Sequence, residues 1–130
     1  MNKKIFLLSS FALLICLLTG CYASVPIYEL ANVEDIEMII LETFPVQVQL
    51  AASGYLPDPC TIIYQATQER TANHFLINIS TYRLPGACIQ IIVPFKEVIP
   101  LEVEGLSAGT YTVEVNGIKG SFILAADNTL

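Results

Sequence analysis

Residues 111–122 alternate apolar and polar side chains on either side of Asn116-Gly117, and this mirror pattern constrains the chain more tightly than any other segment. Asn-Gly is the favoured pair for a two-residue type I′ turn, whose twist matches that of the strands it joins. Folding about it sets Val115 against Ile118, Glu114 against Lys119, Val113 against Gly120, Thr112 against Ser121 and Tyr111 against Phe122. One face collects Tyr111, Val113, Val115, Ile118 and Phe122, and the other holds the charge pair and the hydroxyl pair. A slip of one residue would bury the charges and expose the aromatics, so the register is determined. Gly120 opposite Val113 leaves a gap that a side chain from a facing sheet can fill.

The rest of the chain beyond Val33 also reads as strands. Val46-Gln47-Val48-Gln49-Leu50 alternates as a half-buried strand requires, and Gly54 with Pro57-Asp58-Pro59 stops it. Ile36 to Glu42 is β-branched and apolar; strand is preferred, although Glu34, Asp35 and Glu37 keep a short helix in competition. Cys60 to Ala66 is expected as a strand, with a polar turn over Gln68 to Ala72. Phe75, Ile77 and Ile79 mark the next strand, and Pro85-Gly86 breaks it. Ile89 to Phe95 and Val98 to Val103 are expected as two further strands separated by Pro94, Lys96 and Glu97. About seven short strands ending in a hairpin imply an all-β, immunoglobulin-like sandwich over residues 33–130, with a small closed barrel as the alternative. The chain has no tryptophan, which excludes an antibody-like Cys–Trp–Cys core.

Ahead of that domain, Lys3 and Lys4 precede an apolar run from Ile5 to Leu18, which closes in Leu18-Thr19-Gly20-Cys21. The order is that of a lipoprotein signal peptide over residues 1–20, with lipidation of Cys21. A plain secretory signal or an anchor helix is the competing interpretation. Residues 21–32 are then expected to be the lipidated N-terminus and tether, ahead of a domain over 33–130; the eleven residues from Tyr22 to Asn32 read as tether plus the first edge of the fold and reach at most about 35–40 Å. Processing leaves Arg70, Arg83, Lys96 and Lys119 against twelve acids, a formal charge of −8. That sign opposes phosphate backbones, so no nucleic-acid partner is expected. Cys16 leaves with the signal and Cys21 carries lipid, so Cys60 and Cys88 remain to form a disulfide in an exported chain. Two free thiols or half a metal site is the rival, but there is no CxxC and the chain has one histidine.

Leu56-Pro57-Asp58-Pro59-Cys60, Ala87-Cys88, Val93-Pro94-Phe95 and Gly105-Leu106-Ser107-Ala108-Gly109-Thr110-Tyr111-Thr112-Val113-Glu114-Val115-Asn116-Gly117 stand in a recurring order. Through them the chain resembles a group of small bacterial exported proteins, many with lipoprotein signals, that share an LPDxC…C…VPF…GLxAGTYTVxVNG pattern. The resemblance implies an immunoglobulin-like domain and supports the disulfide; it implies no activity and adds no site. Pro59 stands where a Gly is common, which stiffens the turn before Cys60.

Chemistry-bearing groups are sparse. His74 reads as an exposed or edge histidine, and Glu102, Glu104 and Glu114 read as a solvated face. Asp127-Asn128 reads as a fraying, solvated tail. No catalytic residue, metal ligand or cofactor is expected. A Cys60–Cys88 bridge would draw the loops 54–59 and 82–87 to one end, where Tyr55, Leu56, Tyr82, Arg83 and Leu84 form a candidate binding patch; capping of the core end is the plainer role for Tyr55 and Leu84. The expectation is a non-enzymatic, lipid-anchored cell-envelope protein, acting as a structural or protein-binding module. Its partners are the membrane, through Cys21, and another envelope protein. The anchor would lie on the extracytoplasmic side, in the outer membrane where one exists and otherwise on the outer face of the cytoplasmic membrane. An inhibitor of an exported protease is the alternative.

Overall fold

The computed structural model describes residues 26–130, so the signal peptide, Cys16 and the lipidation site at Cys21 lie outside the described residues. Eight strands form two packed sheets: β1 (Tyr28–Leu30), β2 (Asn32–Leu41), β3 (Gln47–Leu56), β4 (Thr61–Thr71), β5 (His74–Arg83), β6 (Val93–Leu101), β7 (Gly109–Val115) and β8 (Ile118–Leu124). One sheet runs β2-β3-β6; in the other, β5 pairs with β4 on one side and with β1 and β7 on the other, and β8 follows β7. The expected immunoglobulin-like β-sandwich forms. It departs from a wholly antiparallel plan at β5 and β7, which run parallel over His74–Ile77 and Thr112–Val115.

The inner faces supply the core. Leu50 and Val48 of β3 meet Phe75, Ile77 and Ile79 of β5 and Val113 and Val115 of β7, all almost fully buried. Phe75, Tyr111 and Phe122 form an aromatic group, with Tyr111 and Phe122 stacked at 5.4 Å. The Tyr111 hydroxyl donates to the Ser107 carbonyl at 2.7 Å. This is the tyrosine-corner arrangement that fixes the entry into a strand in such sandwiches.

The β7–β8 hairpin has the register expected from its sequence, with Tyr111 opposite Phe122 and Val113 opposite Gly120. Asn116 and Gly117 both take positive φ, as a type I′ turn requires. The gap at Gly120 is filled from the other sheet by Ile36, whose Cδ1 lies 2.9 Å from where a Cβ would stand. Residues 36–41 are strand, so the helix alternative fails: their alternate side chains are needed against β8.

Several expectations need correction. Ala31 is buried, and Tyr28–Leu30 pairs with Tyr82–Ser80, so the first edge of the fold is a paired strand and the sandwich begins ahead of the boundary expected at residue 33. Strand β4 continues through Gln68 and turns at Ala72-Asn73, because β5 offers it a partner as far as His74. Ile89–Ile92 is not a strand and is exposed: β3 ends at Leu56, opposite Val93, so the segment has no edge to join. Val93–Leu101 is one strand despite Pro94 and Pro100. As the edge of its sheet, β6 pairs only with β3, and a proline whose missing N–H would face outward costs no ladder bond.

The tail is the clearest reversal. Asn128 is buried, and its Oδ1 accepts from Val46 N at 2.7 Å while Nδ2 donates to the carbonyls of Val46 and Val103. Its backbone also bonds Leu106 and Gly105, so one side chain and one peptide pin two loops. Asn128→Ala should lower stability by about 1–3 kcal/mol, the penalty for orphaned buried groups. Deleting exposed Leu130 should change the urea midpoint little. Gly54→Ala should be worse than either, because a Cβ there collides with the Asn32 backbone carbonyl beside the β2–β3 bulge; equal midpoints for Gly54→Ala and wild type would show that this contact gives way.

Candidate functional site

The sequence-predicted patch lies at the end of the sandwich where β1, β2, β4 and β6 begin and β3 and β5 end. Its organising residue is Asp58, which sequence reasoning treated only as part of a turn. Asp58 Oδ1 accepts from Cys60 N at 2.9 Å and from the Thr61 hydroxyl at 3.0 Å, and Oδ2 faces Arg83 Nε at 3.3 Å. The carboxylate is buried while Arg83 is half exposed. Burial pushes its pKa up, but the Thr61 and Arg83 hydrogen bonds, the Arg83 charge and the Cys60 N–H together hold it below the usual aspartate value.

That turn positions the disulfide. Cys60 and Cys88 are bonded, with Cα atoms 6.1 Å apart and a sequence separation of 28, and Leu84 N donates to the Cys60 carbonyl. On the chain-entropy model a loop of this size contributes about 3–4 kcal/mol. Asp58, Cys60 and Cys88 bring one oxygen and two sulfurs within 4.8 Å of one another. This is no metal-ligating set as it stands: the sulfurs are bonded to each other, and the carboxylate is engaged by Arg83 and Thr61.

Strand alternation divides the five patch residues. Leu56 and Arg83 point inward and, with Tyr55 at the rim, line a groove of about 420 Å³ together with Leu30, Thr81 and Ile92. Tyr82, one residue before Arg83, points to the outer face of the five-stranded sheet. There its ring lies 5.7 Å from Tyr28, which in turn lies 4.7 Å from Tyr64. Tyr64 is the extra residue of a bulge in β4, which turns it outward. Desolvation, followed by the neighbouring Tyr64 and Tyr82, raises the Tyr28 pKa above its ordinary value. Leu84 is exposed at the rim of the end rather than capping the core. The sequence contained a signal for the tyrosine cluster, since Ile62, Tyr64, Ser80 and Tyr82 occupy outward positions, but the tether reading hid Tyr28.

Elsewhere, His74 sits at the start of β5 with Nδ1 2.7 Å from the Thr112 hydroxyl and Nε2 3.7 Å from Glu114. The three side chains lie on the outer face of the parallel β5–β7 pair. Glu102 and Glu104 are exposed at the opposite end from the disulfide, beside a second groove of about 430 Å³.

A family model described as the ORF11 β-sandwich domain matches residues 50–124, from within β3 to the end of β8. The chain belongs to the ORF11 β-sandwich family. It is 36% identical over 87 residues to an uncharacterised 10.2 kDa protein in the HgiCIIM 5′ region of Herpetosiphon aurantiacus, covering 66% of this chain and 92% of that one. It is 35% identical over 77 residues to a second 10.2 kDa protein of that organism, in the HgiBIM 5′ region, covering 58% and 93%. No solved structure matches. The family match spans the Asp58 turn, both cysteines and the Asn116 hairpin.

Two measurements check the site. Cys60→Ala, Cys88→Ala and the double variant should each lose about 2–5 kcal/mol, and the double should equal the singles; additive losses would contradict a single bridge. Because the folded pKa of Asp58 is depressed, its contribution is complete above the unfolded value of about 3.9 and is lost as pH falls through the folded one. Asp58→Asn should therefore flatten the acid side of the stability profile, and an unchanged slope would remove Asp58 from the account.

Proposed function

We propose that this ORF11-family sandwich is a lipid-anchored cell-envelope protein, working without catalysis as a structural or protein-binding module on the extracytoplasmic side. The observation that carries the proposal is Leu18-Thr19-Gly20-Cys21 behind an apolar run, only seven residues ahead of the first strand. The Cys60–Cys88 disulfide supports export, since such bonds persist in oxidising compartments. The resemblance to small exported lipoproteins points the same way.

Support for a binding or structural role comes from what the strands do with their polar groups. The most heavily bonded side chains, Asp58, Asn116 and Asn128, are engaged in backbone and turn contacts. Among the described residues, no buried side-chain nitrogen or oxygen lacks a partner. These groups hold a rigid frame for exposed residues at the disulfide end.

Cys21→Ser should abolish processing at Gly20–Cys21, leaving a heavier precursor or a product released from membranes. The checking measurement is intact mass with detergent-phase partitioning. A variant with the same lowered mass and the same partitioning as wild type would overturn the anchored reading.

A further inference from the structure

The direction of β1 bears on how an anchored domain would sit. Strand β1 is antiparallel to β5, with Tyr28 opposite Tyr82, next to Arg83 at the end of β5. The chain preceding Tyr28 therefore enters at the disulfide end. Six residues lie between Cys21 and Tyr28, and fully extended they span at most about 20–25 Å. A lipid on Cys21 holds this end, and not the opposite one, against the bilayer.

That end is dressed for an interface. Ile27, Tyr28, Tyr64, Ile89, Ile91 and Ile92 are each more than half exposed or at half exposure, on the entering chain, the outer sheet face and the 84–92 loop. Contiguous exposed apolar surface marks an interaction site, and tyrosine, apolar in the ring and polar at the tip, is enriched at the level of lipid headgroups. Charge is distributed to match. Glu42, Glu69, Glu102, Glu104 and Asp127 belong to the far end, by their places after β2, near the end of β4, after β6 and after β8. At the disulfide end, Asp58 is buried and held by Arg83, Glu29 lies in the groove wall, and Glu34 and Asp35 are exposed near the start of β2. A chain of strong net negative charge thus presents its aromatic end, with fewer exposed acids than the far one, toward the anchor.

We infer that the disulfide end is a membrane seat: the tyrosine cluster and the isoleucines of the 84–92 loop rest in the headgroup region of the bilayer, fixing the sandwich upright on its lipid. The inference rests on the anchored reading and adds the orientation. The disulfide ties the 84–92 loop to the Asp58 turn, so the apolar loop is held in place rather than left to collapse onto the protein. The opposite end, with its acids and the groove between Pro45 and Glu104, faces away from the membrane.

The test is hydrogen exchange on the processed full chain reconstituted in phosphatidylcholine vesicles, after its mass has established the state of Cys21. Amides of residues 85–92 lie outside any strand, yet on the vesicles they should exchange about tenfold more slowly in the wild type than in a Tyr28→Ser/Tyr64→Ser/Ile91→Ser variant. Core amides such as Val113 should remain protected in that variant, which shows that the fold survives. Equal exchange of residues 85–92 in lipidated wild type and variant would overturn the seat alone. Protection that rises with protein-to-lipid ratio would overturn it in favour of contact between copies. An unmodified Cys21 would overturn the anchored reading first, and the seat with it.

Discussion

Strand β5 must satisfy three neighbours with two edges. On one edge it pairs with β4 along its whole length; on the other, β7 takes His74–Ile77 and β1 takes Ser80–Tyr82. Between those two partners the Ile79 carbonyl is taken by Ala31 N at 2.8 Å, but the Ile79 N–H would stand unpaired at the centre of a sandwich, where an orphaned donor is costly. Asn116 fills the seam. Its Oδ1 accepts from Ile79 N at 2.9 Å, and its Nδ2 donates to the carbonyls of Ile79 and Ala31. The side-chain amide substitutes for the missing strand residue, and the same asparagine provides the positive φ of the hairpin turn. This contact joins β1 to the parallel β5–β7 pair where their own ladders with β5 meet, beside the Ala31 N bond to the Ile79 carbonyl.

The opposite end uses the same device. Asn128 bridges Val46 and Val103 with its side-chain amide, and Gln68 accepts from Glu102 N while donating to the Pro100 carbonyl. Gln68 thus carries a hydrogen-bonded link from β4 to the end of β6, across the open side of the sandwich. In each case a primary amide, which offers both a donor and an acceptor, stands in for a stretch of ladder. The two sheets are joined by apolar packing in the middle and by amides where strands run out.

What could be read from the sequence was whatever depends on near neighbours. The hairpin register follows from residues within twelve positions of one another, and the pairing of Cys60 with Cys88 follows from elimination. The failures share one cause. Pro94 and Pro100 look like strand breaks until β6 is known to be an edge; Ile89–Ile92 looks like a strand until β3 is known to stop at Leu56. Asn128 looks like a solvated tail because its partners are up to 82 residues away. The patch was located at the correct end, but Tyr82 and Arg83 were assigned to one surface although adjacent residues of a strand face opposite ways. Asp58 escaped notice because, of its three donors, Cys60 N and the Thr61 hydroxyl look like ordinary turn contacts and Arg83 arrives only when β4 and β5 pair.

A frame of this kind leaves its apolar, disulfide-bonded end fixed relative to the entering chain, so the orientation proposed for it on a membrane turns on where β1 is stitched. Native-state hydrogen exchange of wild type and Asn116→Gly tests that stitching most directly, because glycine keeps the turn and removes only the amide. The account predicts that the Ile79 and Ala31 amides, the second of which donates to the Ile79 carbonyl, become much faster to exchange in the variant, while Val113 and Phe122 stay protected. Unchanged exchange at Ile79 and Ala31 would contradict it and assign the hold on β1 to other contacts.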